Sequence, residues 1–486
     1  MTDITIDNII KGTDLRNSLI TLKNALEDDS RLTNTQLYNA LKRALHDEDP
    51  KVRKNAAIII GRYRKSEVRT LLIQGYENET TEFVKEGYLR GLLYQDCKPV
   101  IGTLRRFQQD LAESGADAKH VQAQLKILNP LILSNTAHKK KVVRLLHNPV
   151  DVVLTTLPYY QFTLFEYVLH LKYKPVGQGV LVRTNSLYDL MPIRNYHELI
   201  IPLSGCVKMP MDDADVIVEK IKASNLRDIL SKLFDTPDSF YYRLTDRTHQ
   251  KHPKLVSDVI RGLTEAYPGF LLNVLTGHEI EIQLREVVKG TVNAYLTLPC
   301  MNNPRFEYRR DIIANAMHPY VAATLMELAK PYMTDNASVL DPFCGSGITL
   351  IERCMIKPVR FALGLDIYGR GLEAAKRNTK AANLNIHYIN KDALRFVNNE
   401  LFDEIFTDMP TYAQMRDKEA LDRLYERFFK RIVKQVKPGG YVFIYTSEIG
   451  QIQKNLRLQS GALTLVEHYD IPRVKNMFYF FIIKVQ

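Results

Sequence analysis

A chain of 486 residues is long enough for two to four domains. With 45% hydrophobic and 25% charged residues, it has the composition of a soluble globular protein. No apolar run is long enough to span a bilayer, which argues against a membrane-embedded chain. Lys and Arg outnumber Asp and Glu by 66 to 55, a formal charge of +11. That excess favours a polyanionic partner, and on charge alone a generic basic protein fits equally well.

The start, Met1-Thr2-Asp3-Ile4, lacks the basic-then-apolar pattern of a secretory signal. Five cysteines, Cys97, Cys206, Cys300, Cys344 and Cys354, are scattered without a Cys-x-x-Cys pair. A reducing cytoplasm and no metal site are expected.

Residues 1–147 read as helices. Leu37, Leu41 and Leu45, then Val52, Ala56, Ala57 and Ile60, sit at helical spacing. Asp47-Glu48-Asp49-Pro50 places acids and a proline at a helix start. Val84 stands 32 residues after Val52 and again heads a helical pattern. This stretch resembles HEAT repeats, in which each helical pair buries the face of the next. Between residues 51 and 70, seven cations (Lys51, Arg53, Lys54, Arg62, Arg64, Lys65, Arg69) meet one acid, Glu67. His138-Lys139-Lys140-Lys141 with Arg144 is a second cluster. On one face they would track phosphates; each alone is more simply a solvated helix surface. A helical stack of this kind also docks proteins, so a protein partner is a second expectation.

Residues 148–305 read as an α+β region. Val152–Thr156, Gly179–Arg183, Phe240–Leu244, Glu279–Leu284 and Thr291–Leu296 alternate as strands. Asp213–Leu233 reads as two helices, and Leu255–Leu263 as another. The order is similar to the THUMP-type RNA-binding half of guanine-amine RNA methyltransferases. Phe240-Tyr241-Tyr242-Arg243, with Arg247, His249 and Lys251, falls where that family has a basic strand and loop. An exposed Tyr there would stack a base, whereas a strand Tyr is more often core. His318, beside Pro319, suits a helix start better than a general base.

From residue 306 to 486 strands and helices alternate as in a doubly wound sheet. Four strands end in acids: Asp341, Asp366, Asp392 just beyond the third, and Asp408. Ligands bind beyond such strand ends, so these carboxylates converge on one crevice. After Asp341 comes Pro342-Phe343-Cys344-Gly345-Ser346-Gly347, and Thr349 opens a helix. Glycines let a ligand approach the backbone, and the helix offers free N–H groups. The string resembles the S-adenosylmethionine loop of class I methyltransferases, in the branch that methylates exocyclic amines of RNA bases. A structural turn in another doubly wound fold is the plain alternative.

The resemblance implies a Rossmann-like methyltransferase that binds S-adenosylmethionine. The Phe343, Cys344, Gly345 and Gly347 loop would hold the methionine part, Asp341 its charge, Asp366 the ribose, and Asp392 with Ala393 the adenine. Thr407-Asp408-Met409-Pro410-Thr411-Tyr412 matches the family's Asp-Pro-Pro-Tyr or Asp-Leu-Pro-Phe motif at Asp408 and Pro410. An exocyclic amine shares its lone pair with the ring. A carboxylate and a carbonyl that accept its N–H bonds hold that pair toward the methyl carbon. Asp408 is the first acceptor, and the Met409 or Pro410 carbonyl the second. Thr411 stands where the family has an aromatic, and Tyr412 one place later is the substitute. The expected activity is RNA methylation at a base amine, guanine N2 foremost, in tRNA or rRNA. The alternatives are an inactive cofactor-binding scaffold and a protein methyltransferase recruited by the helical repeats.

Overall fold

The computed structural model describes residues 2–26, 32–113, 118–135, 143–146, 148–177, 179–235, 239–274, 277–314, 316–473 and 476–486. The His138–Lys141 cluster lies outside them.

The N-terminal part is all helix, from Thr2–Lys11 to Ala118–Asn135. The Asn34 side chain accepts from the Leu37 N–H, and Asp49 accepts from the Lys51 N–H ahead of Pro50. Such caps satisfy donors that the first turn leaves free. Helices Pro50–Ile60 and Glu82–Leu92 approach very closely. A Cβ on Gly91 would lie 2.3 Å from the Ala57 carbonyl oxygen. Val52 and Val84 are both buried in this stack, so the spacing in the sequence corresponds to a repeated packing position.

The cations of residues 51–70 divide. Arg53 forms an ion pair with Glu79 and Lys54 with Glu86. Arg62 is buried over the Tyr94 ring, and Arg69 donates to the Asp96 carbonyl. Lys51, Arg64 and Lys65 are exposed. This cluster therefore works largely as internal glue, not as a continuous track.

The middle region builds one nine-stranded mixed sheet, from Val150–Thr155 to Thr291–Thr297. Helices Ala214–Ala223, Leu226–Leu233 and Pro253–Ala266 pack against it. Its core begins before Asn148, because Val143 bridges Phe234 and Leu146 is buried with the sheet. Arg144, from the second basic cluster, is bonded to Asp235 and to the Ser231 and Lys232 carbonyls. Phe240, Tyr241 and Tyr242 are buried, so these rings are core and not a stacking surface. The Lys251 ammonium is turned onto the Asp246 carbonyl.

The C-terminal sheet has seven strands: β1 (Ala337–Asp341), β2 (Val359–Asp366), β3 (His387–Asn390), β4 (Phe402–Asp408), β5 (Val436–Thr446), β6 (Leu463–Pro472) and β7 (Met477–Val485). Their order is β3-β2-β1-β4-β5-β7-β6. The first five are parallel; β7 runs antiparallel between β5 and β6. Alternate residues feed two apolar layers. Val339, Phe406, Phe443 and Phe480 face one way, and Leu340, Ile405, Ile444 and Phe481 the other, as strand geometry requires.

Proline and paired glycines usually punctuate elements, yet Lys437-Pro438-Gly439-Gly440 lies inside β5, across a register shift opposite Phe402 and Glu404. A Cβ on Gly440 would sit 2.6 Å from the Asp403 carbonyl. The glycine there permits a bulge, and the strand continues.

Two ion pairs frame the site. Arg353, in helix Ile348–Ile356, meets Glu404 of β4 at 2.8 Å with both side chains fully buried. Arg194 of the middle region forks onto Glu352 at 2.8 and 2.7 Å, and Tyr308 donates to the same carboxylate at 2.5 Å. The middle region is thereby fastened to the helix that follows the glycine loop.

Candidate functional site

Sheet order reverses at β1, and a crevice opens there beyond the strand ends. A cleft of about 770 Å³ occupies it, lined by Phe343, Cys344, Gly345, Asp366, Asp392, Ala393, Asp408 and Pro410 among others. Most of the residues anticipated from the sequence therefore come together. Asp341 and Gly347 lie beneath this lining, both buried. Tyr412 is 52% exposed, and its N–H is bonded to Glu448. It is not among the lining residues.

The loop is shaped by its own acids. Asp341 Oδ1 accepts from the Phe343 N–H at 3.0 Å and from the Thr407 hydroxyl at 2.9 Å. Asp366 accepts the Gly345 N–H on one oxygen and the Tyr368 N–H on the other, each at 2.8 Å. Each Asp366 oxygen retains a lone-pair site for a ligand hydroxyl. Asp392 Oδ1 accepts from the Leu394 N–H at 2.8 Å. Gly347 has φ +80°, and a Cβ on it would lie 2.5 Å from the Tyr388 hydroxyl. Only glycine serves there, both for the left-handed backbone and for the close ring.

The acids of the cleft are poorly solvated. Burial pushes the Asp341 carboxyl up to about 8, with Asp408 and Asp366 adding to the shift against its two hydrogen bonds. Asp341 Oδ2 is buried without a hydrogen-bond partner. Burial likewise pushes Asp408 up to about 7, and Arg473 opposes it. Burial raises the Cys344 thiol well above its ordinary range, so it is no nucleophile at neutral pH.

The orphaned Asp341 oxygen and the glycine cradle fit a cationic, nucleoside-sized cofactor. An ammonium or sulfonium relieves a buried acid that has no protein donor, and the Asp366 oxygens suit vicinal hydroxyls.

The motif at the end of β4 is held from below. The Met409 N–H bonds to the Tyr445 carbonyl, and the Tyr425 hydroxyl donates to the Pro410 carbonyl at 3.1 Å. Of the two residues considered from the sequence for the second acceptor, Pro410 lines the cleft with its carbonyl already taking one donor, and Met409 is buried outside the lining. Thr411 is buried and forms a capping box with Gln414 at helix Tyr412–Met415. It faces inward as a cap, which is why no aromatic stands there. His318 caps helix Pro319–Ala329, as anticipated. Arg473, which lies against Tyr320 and Tyr445 and acts on Asp408, was not legible: it directly follows β6 with no motif around it.

The protonation of these acids has a measurable consequence. In the cofactor-free protein, Asp341 and Asp408 keep their protons far above the unfolded carboxylate range. A raised folded pKa gives stability that is complete below that range and lost as pH rises through the folded value. The melting temperature without cofactor is therefore expected to fall between about pH 5 and pH 8. Thermal unfolding across that range checks it, and Asp408→Asn should flatten the part near pH 7.

A doubly wound sheet with a glycine loop after its first strand, acids at successive strand ends and an antiparallel last pair is that of a class I methyltransferase. Residues 307–471 match a family model described as UPF0020, an RMKL-like methyltransferase domain. Solved structures share the fold. TrmN from Thermus thermophilus is 20% identical, with 69% of this chain and 99% of that one covered and a TM-score of 0.51. SMU.472, in complex with S-adenosylhomocysteine, is 14% identical over 69% and 98%, with a TM-score of 0.54. A predicted N6-adenine-specific DNA methylase from Listeria monocytogenes is 17% identical over 68% and 96%, with a TM-score of 0.54. Each likeness reaches well beyond the segment matched by the family model. The C-terminal domain is a methyltransferase domain, and S-adenosylmethionine is its cofactor. Among the described residues, no helix is long and apolar enough to cross a membrane.

Proposed function

We propose that the protein methylates an exocyclic amine of an RNA base, guanine N2 first among the candidates, in tRNA or rRNA. The observation that carries this reading is Asp408 at the end of β4, in the cofactor cleft, followed by Met409 and Pro410. The cofactor supplies an activated methyl group. The loop from Phe343 to Gly347, with Asp341, Asp366, Asp392 and Ala393, holds it. Asp408 accepts one N–H of the incoming amine, and the Met409 or Pro410 carbonyl accepts another. Together they turn the nitrogen lone pair toward the methyl carbon and disperse positive charge as it develops.

The N-terminal stack is read as HEAT-like, because its paired helices repeat a buried position at Val52 and Val84. The middle sheet is read as a THUMP-type RNA-binding region with its linker. The formal charge of +11 accords with a polyanionic substrate. A second reading, a scaffold that binds cofactor without turnover, draws on the inward-facing Thr411.

Mass spectrometry of modified nucleosides in total RNA, with and without this gene, tests the proposal. Loss of one N2-methylated guanosine is the expected result. An unchanged nucleoside profile would refute it and leave the scaffold reading.

A further inference from the structure

Cations with no acid to neutralise them gather where the middle region meets the methyltransferase domain. Arg473 follows β6, beside the Tyr320 and Tyr445 hydroxyls. Arg309 has a buried Nε with no hydrogen-bond partner. Among the described residues, neither guanidinium has a carboxylate at ion-pair distance. His318 lies near both arginines, with its ring centre 4.9 Å from Tyr320 and 5.8 Å from His197. Burial, then Arg309, His197, Arg305 and Arg473, hold its imidazole down at about 4.

The neighbours of this group are already committed. Arg305 donates to the Tyr196 and His197 carbonyls at 2.6 and 2.9 Å. Arg194 is locked on Glu352. Glu198, the nearby acid, takes Arg285 and lies 3.9 Å from Arg247. A partly desolvated guanidinium without an acid is costly. Arg473 acts on Asp408, and Arg309 and Arg473 both act on His318, the neighbour of Met317 in the cleft lining. An anionic ligand would complete the set, and guanidinium forks match phosphate geometry.

We infer that Arg309 and Arg473, with Tyr320 and His318 beside them, form a phosphate-binding site that grips the RNA backbone next to the nucleotide presented to Asp408. The inference rests on the RNA reading above and adds to it where the strand lies. The backbone crosses from the middle sheet over His318 to the turn after β6. Arg473 holds a phosphate on one side while acting on the Asp408 carboxylate on the other. The rings of Tyr320 and His318 offer faces for an adjoining base.

Fluorescence anisotropy with a labelled single-stranded RNA, read across rising salt, tests the site. Neutralising two phosphate contacts should reduce the slope of log affinity against log salt by about 1.4, and affinity at low salt by at least about tenfold. That is the result expected of Arg309→Gln with Arg473→Gln, while cofactor binding and melting temperature hold. The charge-keeping pair Arg309→Lys with Arg473→Lys should restore the slope. Lys222→Gln with Lys430→Gln, on outer helices, should change neither quantity. If the RNA binds the glutamine pair with an unchanged slope, the inference falls and the RNA reading stands. If both the glutamine and lysine pairs lose binding alike, the role is structural and the inference also falls. If the unaltered protein retains no RNA, the reading and the inference fall together.

Discussion

Asp408→Ala is expected to give a protein that binds S-adenosylmethionine with nearly unchanged affinity and transfers no measurable methyl group. The loop contacts come from other residues: Gly345 is held by Asp366, and Phe343 by Asp341. Asp408 lines the same cleft from β4, outside these two loop contacts. Removing one preorganised partner of a developing charge typically costs about two to three orders of magnitude in rate. Here the lost acceptor also orients the nitrogen, so the upper end of that range or beyond is expected. Calorimetric titration with cofactor and a radiolabelled methyl-transfer assay measure the two arms. A variant that no longer binds cofactor would mean that Asp408 belongs to the cofactor and not to the amine. Asp408→Asn keeps an acceptor oxygen but loses the charge, and should fall between alanine and the unaltered protein.

The second large effect is on stability. Arg353→Met should destabilise the methyltransferase domain by about 3–5 kcal/mol, because it strands a buried carboxylate. Glu404 is fully buried, and among the described residues it receives, besides Arg353, the Thr334 N–H at 2.6 Å. Arg353 also ties the Thr334 and Lys357 carbonyls. Replacing both partners, Arg353→Met with Glu404→Leu, should recover much of the loss, since an apolar pair of similar volume needs no compensation. Urea denaturation reads both variants. Glu404 lies four residues before Asp408 on the same strand, so the single variant should also reduce turnover. A double variant less stable than the single one would show that the pair contributes net stability.

The methyltransferase domain was the most legible part of the chain. Parallel strands β1, β2 and β5 carry apolar runs, and the acids at Asp341, Asp366 and Asp408 mark strand ends. The glycine loop is legible because its conformation tolerates so few residues; Gly347 shows why. The short strands Lys172–Val176, Leu199–Pro202 and Met209–Pro210 were not legible, since such brief runs carry no periodicity. Charge was misleading where it was dense. The run from Lys51 to Arg69 looks like a phosphate track, yet much of it is spent on Glu79, Glu86, Tyr94 and Asp96. Spacing cannot show which cations find acids from another helix. The reverse holds for Arg309 and Arg473, which are unremarkable in the sequence and become conspicuous only when no carboxylate lies at ion-pair distance from them among the described residues. Thr411 appeared as a missing aromatic; its role as a cap emerges only with helix Tyr412–Met415 in place.

The fork between Arg194 and Glu352 bears on how this protein can be divided. Glu352 has 1% of its side chain exposed, and half of its compensation arrives from outside the segment that matches the methyltransferase family. A truncation that begins near Glu307 would keep Tyr308 but discard the guanidinium, so that the Glu352 carboxylate on the helix after the glycine loop loses two of its hydrogen bonds and an apolar interface opens beside it. Such a fragment should express poorly or aggregate, and Glu352→Gln should improve it. The minimal catalytic piece of this chain is therefore larger than its recognisable motif.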